Sequence, residues 1–367
     1  MKVNLSLPVI RVAGGDYERG LQIGKMLSGK ISQNVDYYMK MWASTGTRAD
    51  TVLDLSAKFA YRIKSYAPHI FAEMAGISAG SARSFDEIVA LNCRWELFYI
   101  SGMSNECTSI GMNGNVTKEC HTFLAQNWDY MPAVRDGCAI ISEVQEPNRP
   151  NILMHTEAGV VGQKGFNSDS LGIVVNGLST YDDRFEVRIP FLVMLREVLN
   201  QRNMDDAISV VRKTERAVSG NMMIAQADGE IIDIECTAEE FSMIREENGR
   251  LNHANTFCSV EFDGKVRDKI RDIYPDSMLR HERSRVLLDS KNSHQDGSNI
   301  MKEILMDHAN APTSICRHSS GKSSVATTET VTLISMIMDL DDKVLLYANG
   351  NPCSNPFQRI DAADYWR

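Results

Sequence analysis

The spacing of apolar residues changes near residue 107, and this change constrains the fold more than any other feature of the sequence. Before it, apolar residues recur at helical spacing over about 17–42, 51–70 and 84–99. After it, short runs rich in β-branched residues alternate with turns such as Asp228-Gly229. We therefore predict an α+β fold in which helices pack on largely antiparallel sheets.

Turn and capping residues set the boundaries of the predicted elements. Pro68 predicts a break in the second helical segment, and Ser84 with Glu87 forms a Ser-x-x-Glu capping box at the start of the third. The predicted strands are a short first strand ending before residue 13, then 138–144, 152–156, 171–176, 222–226, 230–236, 242–245, 331–338 and 343–348; further helices are predicted over 190–200, 204–212 and twice within 278–309.

Three features have a purely structural interpretation. Gly15, Gly20 and Gly24 have the wrong spacing for a dinucleotide site, so we expect them to allow a turn and close helix packing. The dipeptide 248–249, Asn-Gly, predicts a second hairpin turn. The run 320–323 lacks the upstream glycine of a phosphate-binding loop and is interpreted as a surface loop.

Length and charge exclude several classes of function. A chain of 367 residues can bury a large core without disulfides or metals, and one domain is the simplest organisation. The net charge is -9 without a block of like charge, which argues against a nucleic-acid partner. No run approaches the roughly 20 apolar residues of a membrane span, and the N-terminus lacks a signal-peptide core, so we expect a cytoplasmic protein without a membrane partner.

The cysteines give no sign of a metal or disulfide framework. All eight are scattered without a Cys-x-x-Cys pair, so the sequence predicts neither a zinc site nor a cofactor. Most are expected to be small buried hydrophobic residues, and Cys316 is interpreted as buried and inert.

Cys107 differs from the others because it lies in a polar stretch, 103–109, between a helix and the β-rich region. We expect this boundary to be exposed and cleavable. A thiol there can attack the carbonyl of Glu106, with the Ser109 hydroxyl assisting, so that hydrolysis leaves a chain that begins at Cys107. The new α-amino group, with a pKa of about 7.7–8.0, then serves as general base for its own thiol. A lone cysteine in a loop is more often structural, so the local sequence leaves both interpretations open.

Motifs spread along the chain favour the nucleophile. On them the chain resembles the acyl-coenzyme A:6-aminopenicillanic-acid acyltransferase family, which are self-processing N-terminal-nucleophile (Ntn) enzymes that include isopenicillin N acyltransferases and hydrolases of β-alanyl amines. The motifs are Gly15…Gly20…Gly24, Leu91-Asn92-x-Arg94-x-Glu96-x-x-Tyr99, Glu106-Cys107-Thr108-Ser109, Gln126-Asn127-Trp128-Asp129, Thr156-Glu157-Ala158-Gly159, Gly165-Phe166-Asn167-Ser168, Val175-Asn176, His253-Ala254-Asn255 and Ser314-Ile315-Cys316-Arg317.

The resemblance implies a four-layer αββα sandwich with two stacked, mainly antiparallel sheets. It also implies that one Ntn domain, 1–367, cuts itself into a helical chain, 1–106, and a catalytic chain, 107–367. The two chains are expected to remain associated, with Arg94 and Glu96 tying them together.

The resemblance also implies a role for each matched site residue. Cys107 corresponds to the nucleophile, and Asp129 to the carboxylate that holds the catalytic amine or thiol. Asn255 corresponds to an oxyanion donor, and Asn176 to a second donor found in the wider superfamily. Arg317 corresponds to a cation near the nucleophile that favours thiolate and pairs with Asp129. The structural alternatives are a turn cap, backbone partners and a surface charge. His253 is assigned a structural role.

The expected activity is hydrolysis of a small, non-peptide linear amide through an acyl-enzyme on Cys107, with a small-molecule amide or thioester as partner. Three alternatives stay open: acyl-coenzyme-A-dependent N-acyl transfer in the same site, a papain-like protease, and a catalytically dead homologue. Residues 179–188 are expected to border the acyl or amine pocket. Whether the chain forms a homo-oligomer is also left open.

Overall fold

The computed structural model describes residues 7–101, 106–292, 295–319 and 329–367, with side chains described for all of these except 99–101. The predicted loop at 320–323 and residues 103–105 of the predicted polar stretch lie outside these ranges. The helices are α1 (Asp16–Met26), α2 (Ser28–Ser44), α3 (Ala49–Tyr66), α4 (Pro68–Ser81), α5 (Phe85–Asn92), α6 (Arg94–Ser101), α7 (Phe191–Leu199), α8 (Met204–Lys213), α9 (Lys269–Ile273), α10 (Asp276–Asp289), α11 (Gly297–Leu305) and α12 (Ala363–Trp366).

The strands form two sheets. They are β1 (Val9–Ala13), β2 (Glu106–Met112), β3 (Phe123–Tyr130), β4 (Cys138–Val144), β5 (Ile152–Glu157), β6 (Lys164–Asn167), β7 (Leu171–Asn176), β8 (Gly220–Gln226), β9 (Ile231–Cys236), β10 (Phe241–Arg245), β11 (Arg250–His253), β12 (Val331–Asp339), β13 (Val344–Asn349) and β14 (Gln358–Asp361). The eight-stranded sheet has the order β1-β4-β5-β6-β7-β8-β9-β10, and the six-stranded sheet the order β11-β2-β3-β12-β13-β14. Only the β1–β4 pair of these sheets is parallel among the described residues.

The sheets stack face to face and each carries helices on its outer face. Strands β2 and β3 contact β7 across the space between the sheets. Helices α10 and α11 cover the six-stranded sheet, whereas α7 and α8 cover the eight-stranded sheet, and α7 contacts the N-terminal helix α6. The chain is therefore a four-layer αββα sandwich, as the sequence predicted. None of the helices in the described ranges is both long and apolar enough to cross a bilayer.

Local signals in the sequence placed most of these elements. The Ser84–Glu87 capping box begins α5, and Pro68 separates α3 from α4. The predicted strands from 138 to 348 all form. The single helix predicted over 17–42 was wrong, because the chain ends α1 at Met26 and starts α2 at Ser28. The third segment also divides, at Cys93, and α9 was not predicted.

The Asn-Gly turn at 248–249 forms as predicted, with both residues at positive φ, but the strands on its two sides do not pair with each other beyond the turn. It links β10 in one sheet to β11 in the other, and only Glu247 and Arg250 pair across it. The Asp-Gly turn at 228–229 does join paired strands, β8 and β9. An Asn-Gly pair specifies the local turn but not which sheet receives the next strand.

Contacts across residue 106 join the N-terminal segment to the rest of the chain. Strand β1 adds a parallel edge to β4. The buried Arg94 guanidinium pairs with Glu157 at 2.5 Å, and the Glu96 carboxylate accepts a hydrogen bond from the Phe191 amide at 2.8 Å. The Trp95 ring stacks on Phe191 with centroids 4.8 Å apart. These contacts agree with the predicted tying role of Arg94 and Glu96.

Glycines allow α1 and α4 to touch backbone to backbone. A Cβ added at Gly20 would lie 1.9 Å from the Glu73 carbonyl oxygen, and one at Gly24 would lie 2.5 Å from that of Ile77. The packing interpretation of these two glycines is therefore confirmed.

We predict that Gly20→Ala lowers the free energy of unfolding by at least about 2 kcal/mol, because the two helices must separate to admit the methyl group. Gly29→Ala is the matched control, since a Cβ there meets nothing within 4 Å. Because Gly29 lies in the first turn of α2, Ala there should leave the stability unchanged or raise it by at most about 1 kcal/mol. Denaturant titration measures both changes, and equal effects of the two substitutions would contradict the packing account.

Candidate active site around Cys107

Cys107 lies in a strand that is covered on both faces. The side chains of Ile110 and Met112 pack under α10 and α11, whereas a Cβ at Gly111 would meet Met223 and Ile231 of the other sheet. Because side chains alternate along a strand, Cys107 points into the space between the sheets. Its side chain is 2% exposed. The expectation of an exposed boundary was therefore wrong for residues 106 and 107, which the second sheet and the helices bury.

The Cys107 thiol is protonated at neutral pH. Burial raises the pKa of Cys107 to about 12, and the charge of Asp129 adds to this effect. The positive charges of Lys164 and Arg280, and a hydrogen bond with the backbone of Asp129, oppose it. A new local base or a change in solvation is therefore required before this thiol can act as a nucleophile.

Lys164 is a second buried group beside the thiol, and the sequence analysis missed it. Its ammonium lies 3.8 Å from the centroid of the Trp128 ring and donates to Gln163 Oε1 at 3.2 Å. Burial lowers the pKa of Lys164 to about 8. No strand was predicted over 164–167, so the sequence did not indicate that this lysine is buried.

Asn255 holds the peptide nitrogen of Cys107. Its Oδ1 accepts a hydrogen bond from the Cys107 N–H at 2.7 Å and another from Arg280 Nη2 at 3.1 Å. Its Nδ2 donates to the carbonyl oxygen of Gly177 at 2.9 Å. The side chain thus contacts the nitrogen that cleavage between 106 and 107 would convert into an α-amino group.

Asn176 contacts Ser109, the next β2 residue that faces the other sheet. The Ser109 hydroxyl donates to Asn176 Oδ1 at 2.5 Å and accepts from Gln126 Nε2 at 2.9 Å. Asn176 Nδ2 lies 3.5 Å from the His253 carbonyl oxygen. The structure therefore brings Ser109 and Asn176 together on the face that carries the thiol.

Glu106 and Asp129 form a buried carboxylate pair on the opposite face of the sheet. They are directly opposed in the β2–β3 register. The Glu106 carboxylate contacts Arg317, and it lies 3.3 Å from Arg280. Asp129 Oδ1 accepts from the Thr332 hydroxyl at 2.7 Å, and its Oδ2 lies 3.9 Å from Arg317 Nε. The Asp129 carboxylate is thus separated from the thiol by the strand backbone in the uncut chain.

Burial shifts the titration of both carboxylates. It raises the pKa of Asp129 to about 7, although Arg317 and Arg280 oppose the shift. It also raises the pKa of Glu106, against the same two arginines. Arg317 additionally pairs with Asp276, so it neutralises a cluster of carboxylates rather than one partner.

Arg280 is the most connected residue of the site, and the sequence analysis missed it. It donates to the Cys107 carbonyl oxygen at 2.5 Å and to the Thr108 hydroxyl at 3.1 Å, besides its contacts with Glu106 and Asn255. In sequence it is one of several charges on α10 and looks solvated. The sequence did contain an indication that Arg280 is buried. It lies on the helix face formed by the small or apolar residues Ser277, Ser284 and Leu288.

His253 is buried and its Nε2 lies 2.8 Å from Glu235 Oε1, in agreement with a structural role. Among the described residues, Cys107 belongs to none of the groups that could hold a metal ion. A cavity of about 440 Å³ begins beside Asn255, at Thr256, and a smaller one of about 210 Å³ is lined by Thr180 and Asp183 of the segment expected to border a pocket.

We predict that Asp129→Asn makes the stability less dependent on pH. The folded state keeps the Asp129 proton up to about pH 7, whereas the unfolded chain releases it near its ordinary value of 3.8. Folding therefore binds a proton in this window, and wild-type stability falls as pH rises through it. The variant should gain more than about 1 kcal/mol relative to wild type between pH 5 and 7, since one pKa unit corresponds to about 1.4 kcal/mol.

The control for this measurement is Asp54→Asn, which changes an exposed carboxylate in α3. It should shift the unfolding curve equally at both pH values. A constant difference between Asp129→Asn and wild type across the window would show that Asp129 is ionised in the folded state throughout.

Comparisons with known proteins agree with the sequence resemblance. The profile of the family described as acyl-coenzyme A:6-aminopenicillanic acid acyl-transferase matches residues 116–353, a range that contains Asp129, Asn176, Asn255 and Arg317 but begins after Cys107. The acyl-coenzyme A:6-aminopenicillanic-acid-acyltransferase 40 kDa form of Emericella nidulans is 28% identical over 328 residues, which are 86% of this chain and 86% of that protein.

Two solved structures superpose on the chain at low sequence identity. A mutant conjugated bile acid hydrolase from Clostridium perfringens superposes with a TM-score of 0.50 and 13% identity, over 70% of this chain and 93% of that one. Penicillin V acylase from Agrobacterium tumefaciens superposes with a TM-score of 0.47 and 10% identity, over 70% of this chain and 86% of that one. The first of these likenesses agrees with the αββα sandwich.

Proposed function

Because this chain belongs to the acyl-coenzyme A:6-aminopenicillanic acid acyltransferase family, we propose that it is a self-processing cysteine Ntn amidohydrolase, cut between Glu106 and Cys107. Its substrate in this proposal is a small, non-peptide linear amide. The observation that carries the proposal is the hydrogen bond from the Cys107 peptide N–H to Asn255, because it places a polar acceptor at the nitrogen that cleavage would release.

Cleavage begins when the Cys107 thiol adds to the carbonyl carbon of Glu106. The C–N bond then breaks, the proton passes to nitrogen, and a thioester joins Glu106 to the sulfur. Water hydrolyses the thioester and leaves a carboxylate on Glu106 and a free α-amino group on Cys107. Arg280 donates hydrogen bonds to the Cys107 carbonyl and to the Glu106 carboxylate. These contacts support the proposal, because they fix the residues on both sides of the Glu106–Cys107 peptide bond.

Turnover uses the same sulfur with its new amine. The α-amino group takes the thiol proton, and the thiolate attacks the substrate carbonyl. Asn255 and Asn176 are proposed to stabilise the oxyanion, and loss of one such donor commonly lowers the rate about a hundredfold to a thousandfold. The amine leaves with the proton, and water then releases the acyl group from Cys107.

Burial of the thiol explains why the uncut chain would be inactive. Cys107 is covered from both sides and its thiol is protonated, with a pKa raised to about 12, so an external substrate does not reach a thiolate there. The released N-terminal segment, 1–106, is proposed to stay bound through β1 and the buried Arg94–Glu157 pair. Removing one partner of such a pair is strongly destabilising, by about 3–5 kcal/mol.

We predict that the denatured wild-type protein gives two masses, for residues 1–106 and 107–367, whereas Cys107→Ala gives only the full chain. Mass spectrometry of freshly purified protein measures this. Cys236→Ala is the matched control, because Cys236 is another buried strand cysteine and its loss should leave the two-piece pattern unchanged. A wild-type chain that stays whole after long incubation would contradict self-processing and favour a dead homologue or a papain-like enzyme.

Acyl transfer is the second candidate, and the described activity of the family and of the Emericella nidulans relative favours it. In that case the acyl-enzyme on Cys107 forms from an acyl-coenzyme A thioester and passes to an amine instead of water. The two functions are separated by following acyl-coenzyme A consumption with and without an amine acceptor. Consumption that requires the amine would identify the transferase, whereas hydrolysis of simple amides without coenzyme A would identify the hydrolase.

A further inference from the structure

Four side chains with metal-binding atoms converge on the surface beside β12 and β13. They are His308, Cys316, His318 and Cys353, and their ligand atoms all lie within 4.8 Å of one another. The two sulfurs are 3.6 Å apart, and the two Nε2 atoms are 3.1 Å apart. His318 Nε2 lies 3.5 Å from one sulfur and 3.3 Å from the other.

Four of the six separations between the ligand atoms are close to those of a tetrahedral metal site. With Zn–S bonds of about 2.3 Å and Zn–N bonds of about 2.0–2.1 Å, the ligand atoms of a tetrahedron lie roughly 3.3–3.8 Å apart. These four distances, 3.1 to 3.6 Å, fall in or next to this range. Two thiolates with two imidazoles are also a ligand set that Zn²⁺ prefers.

Hydrogen bonding alone does not account for the convergence. His318 Nε2 faces His308 Nε2 and both sulfurs at once. A neutral imidazole nitrogen carries one proton or one lone pair, so it can serve one of these three neighbours and not all of them. A cation at the centre of the four atoms would accept a lone pair from each of them.

A disulfide between Cys316 and Cys353 is the competing arrangement. The 3.6 Å separation of the sulfurs is far longer than the S–S bond of about 2.05 Å. A disulfide would also leave the two histidine rings facing each other without a common partner. The presence of both imidazoles therefore favours a metal over an oxidised pair.

We propose that His308, Cys316, His318 and Cys353 bind one Zn²⁺ ion in a closed, structural site. With four protein ligands the ion has no open position for substrate or water, so it stabilises the fold and does not catalyse. This reverses two expectations from the sequence, namely that no zinc site exists and that Cys316 is inert. The ligands are separated by 8, 2 and 35 positions, which matches no standard zinc motif.

The ion would also fix the backbone that carries Arg317. Arg317 lies between two of the ligands, and its carbonyl oxygen accepts from Asn351 Nδ2 at 2.7 Å and from the Thr332 amide at 3.0 Å. Cys353 lies two residues beyond Asn351, so the ion would join the segments on both sides of this arginine. The proposed role is therefore to hold the Arg317 guanidinium against Glu106.

The test is Zn²⁺ binding by the full-length protein with reduced thiols, after removal of metal with a chelator. We expect about one equivalent of Zn²⁺ to bind wild type, and Cys353→Ser and His308→Ala to weaken binding at least a hundredfold. Cys120→Ser is the matched control, because Cys120 is an exposed free cysteine outside the cluster, and it should bind like wild type. Cys353 and His308 are also exposed, so their substitutions leave the core intact, and circular dichroism checks this.

Co²⁺ supplies a second measurement that does not depend on stoichiometry. Bound Co²⁺ should give a thiolate-to-metal charge-transfer band in wild type and in Cys120→Ser, weakened in Cys353→Ser. Absence of binding to folded, reduced wild type would overturn the proposal. So would equal binding by Cys353→Ser and wild type, or a 316–353 disulfide in protein purified under reducing conditions.

Discussion

The pairing of β2 with β3 is the constraint on which the rest of the site depends. The register of this pair places Glu106 opposite Asp129. Because side chains alternate along β2, the Cys107 thiol then lies on the other face of the sheet. Two buried carboxylates side by side repel each other, and Arg280 and Arg317 offset this charge. A slip of one residue would expose these charges to the apolar space between the sheets, so the charge cluster and the register stabilise each other.

A second set of buried charges holds the segment before Cys107 in place. Arg19 on α1 and Arg196 on α7 share the carboxylates of Glu73 and Glu143, and all four side chains are almost fully buried. One arginine and one glutamate lie on each side of residue 106, so the network would survive a cut there. Each charge is costly to bury alone, which favours a bound N-terminal segment over a dissociated one.

Local sequence patterns predicted most helices and strands, but they did not predict the contacts between segments that are distant in sequence. Pro68 and the Asp-Gly turn at 228–229 act through their own backbone, and the structure agrees with both. Strand β2 is buried on both faces, so it shows no alternation and its boundary looked exposed. Tertiary packing alone brings Arg280 to the Cys107 site and the four proposed zinc ligands to one another. Their spacing in the sequence does not predict either cluster. Local patterns did not identify the site residues, which were assigned from the family resemblance.

In the proposed activation, cleavage converts a buried, protonated thiol into a nucleophile with its own amine. The pH dependence of Cys107 alkylation in the native processed protein measures this directly, with mass spectrometry of the peptide that begins at Cys107. We expect ready alkylation with an inflection well below pH 9, in contrast to the pKa of about 12 that burial gives Cys107 in the uncut chain. If Cys107 resists alkylation up to pH 10, or never appears at the start of a peptide, the proposed activation is wrong.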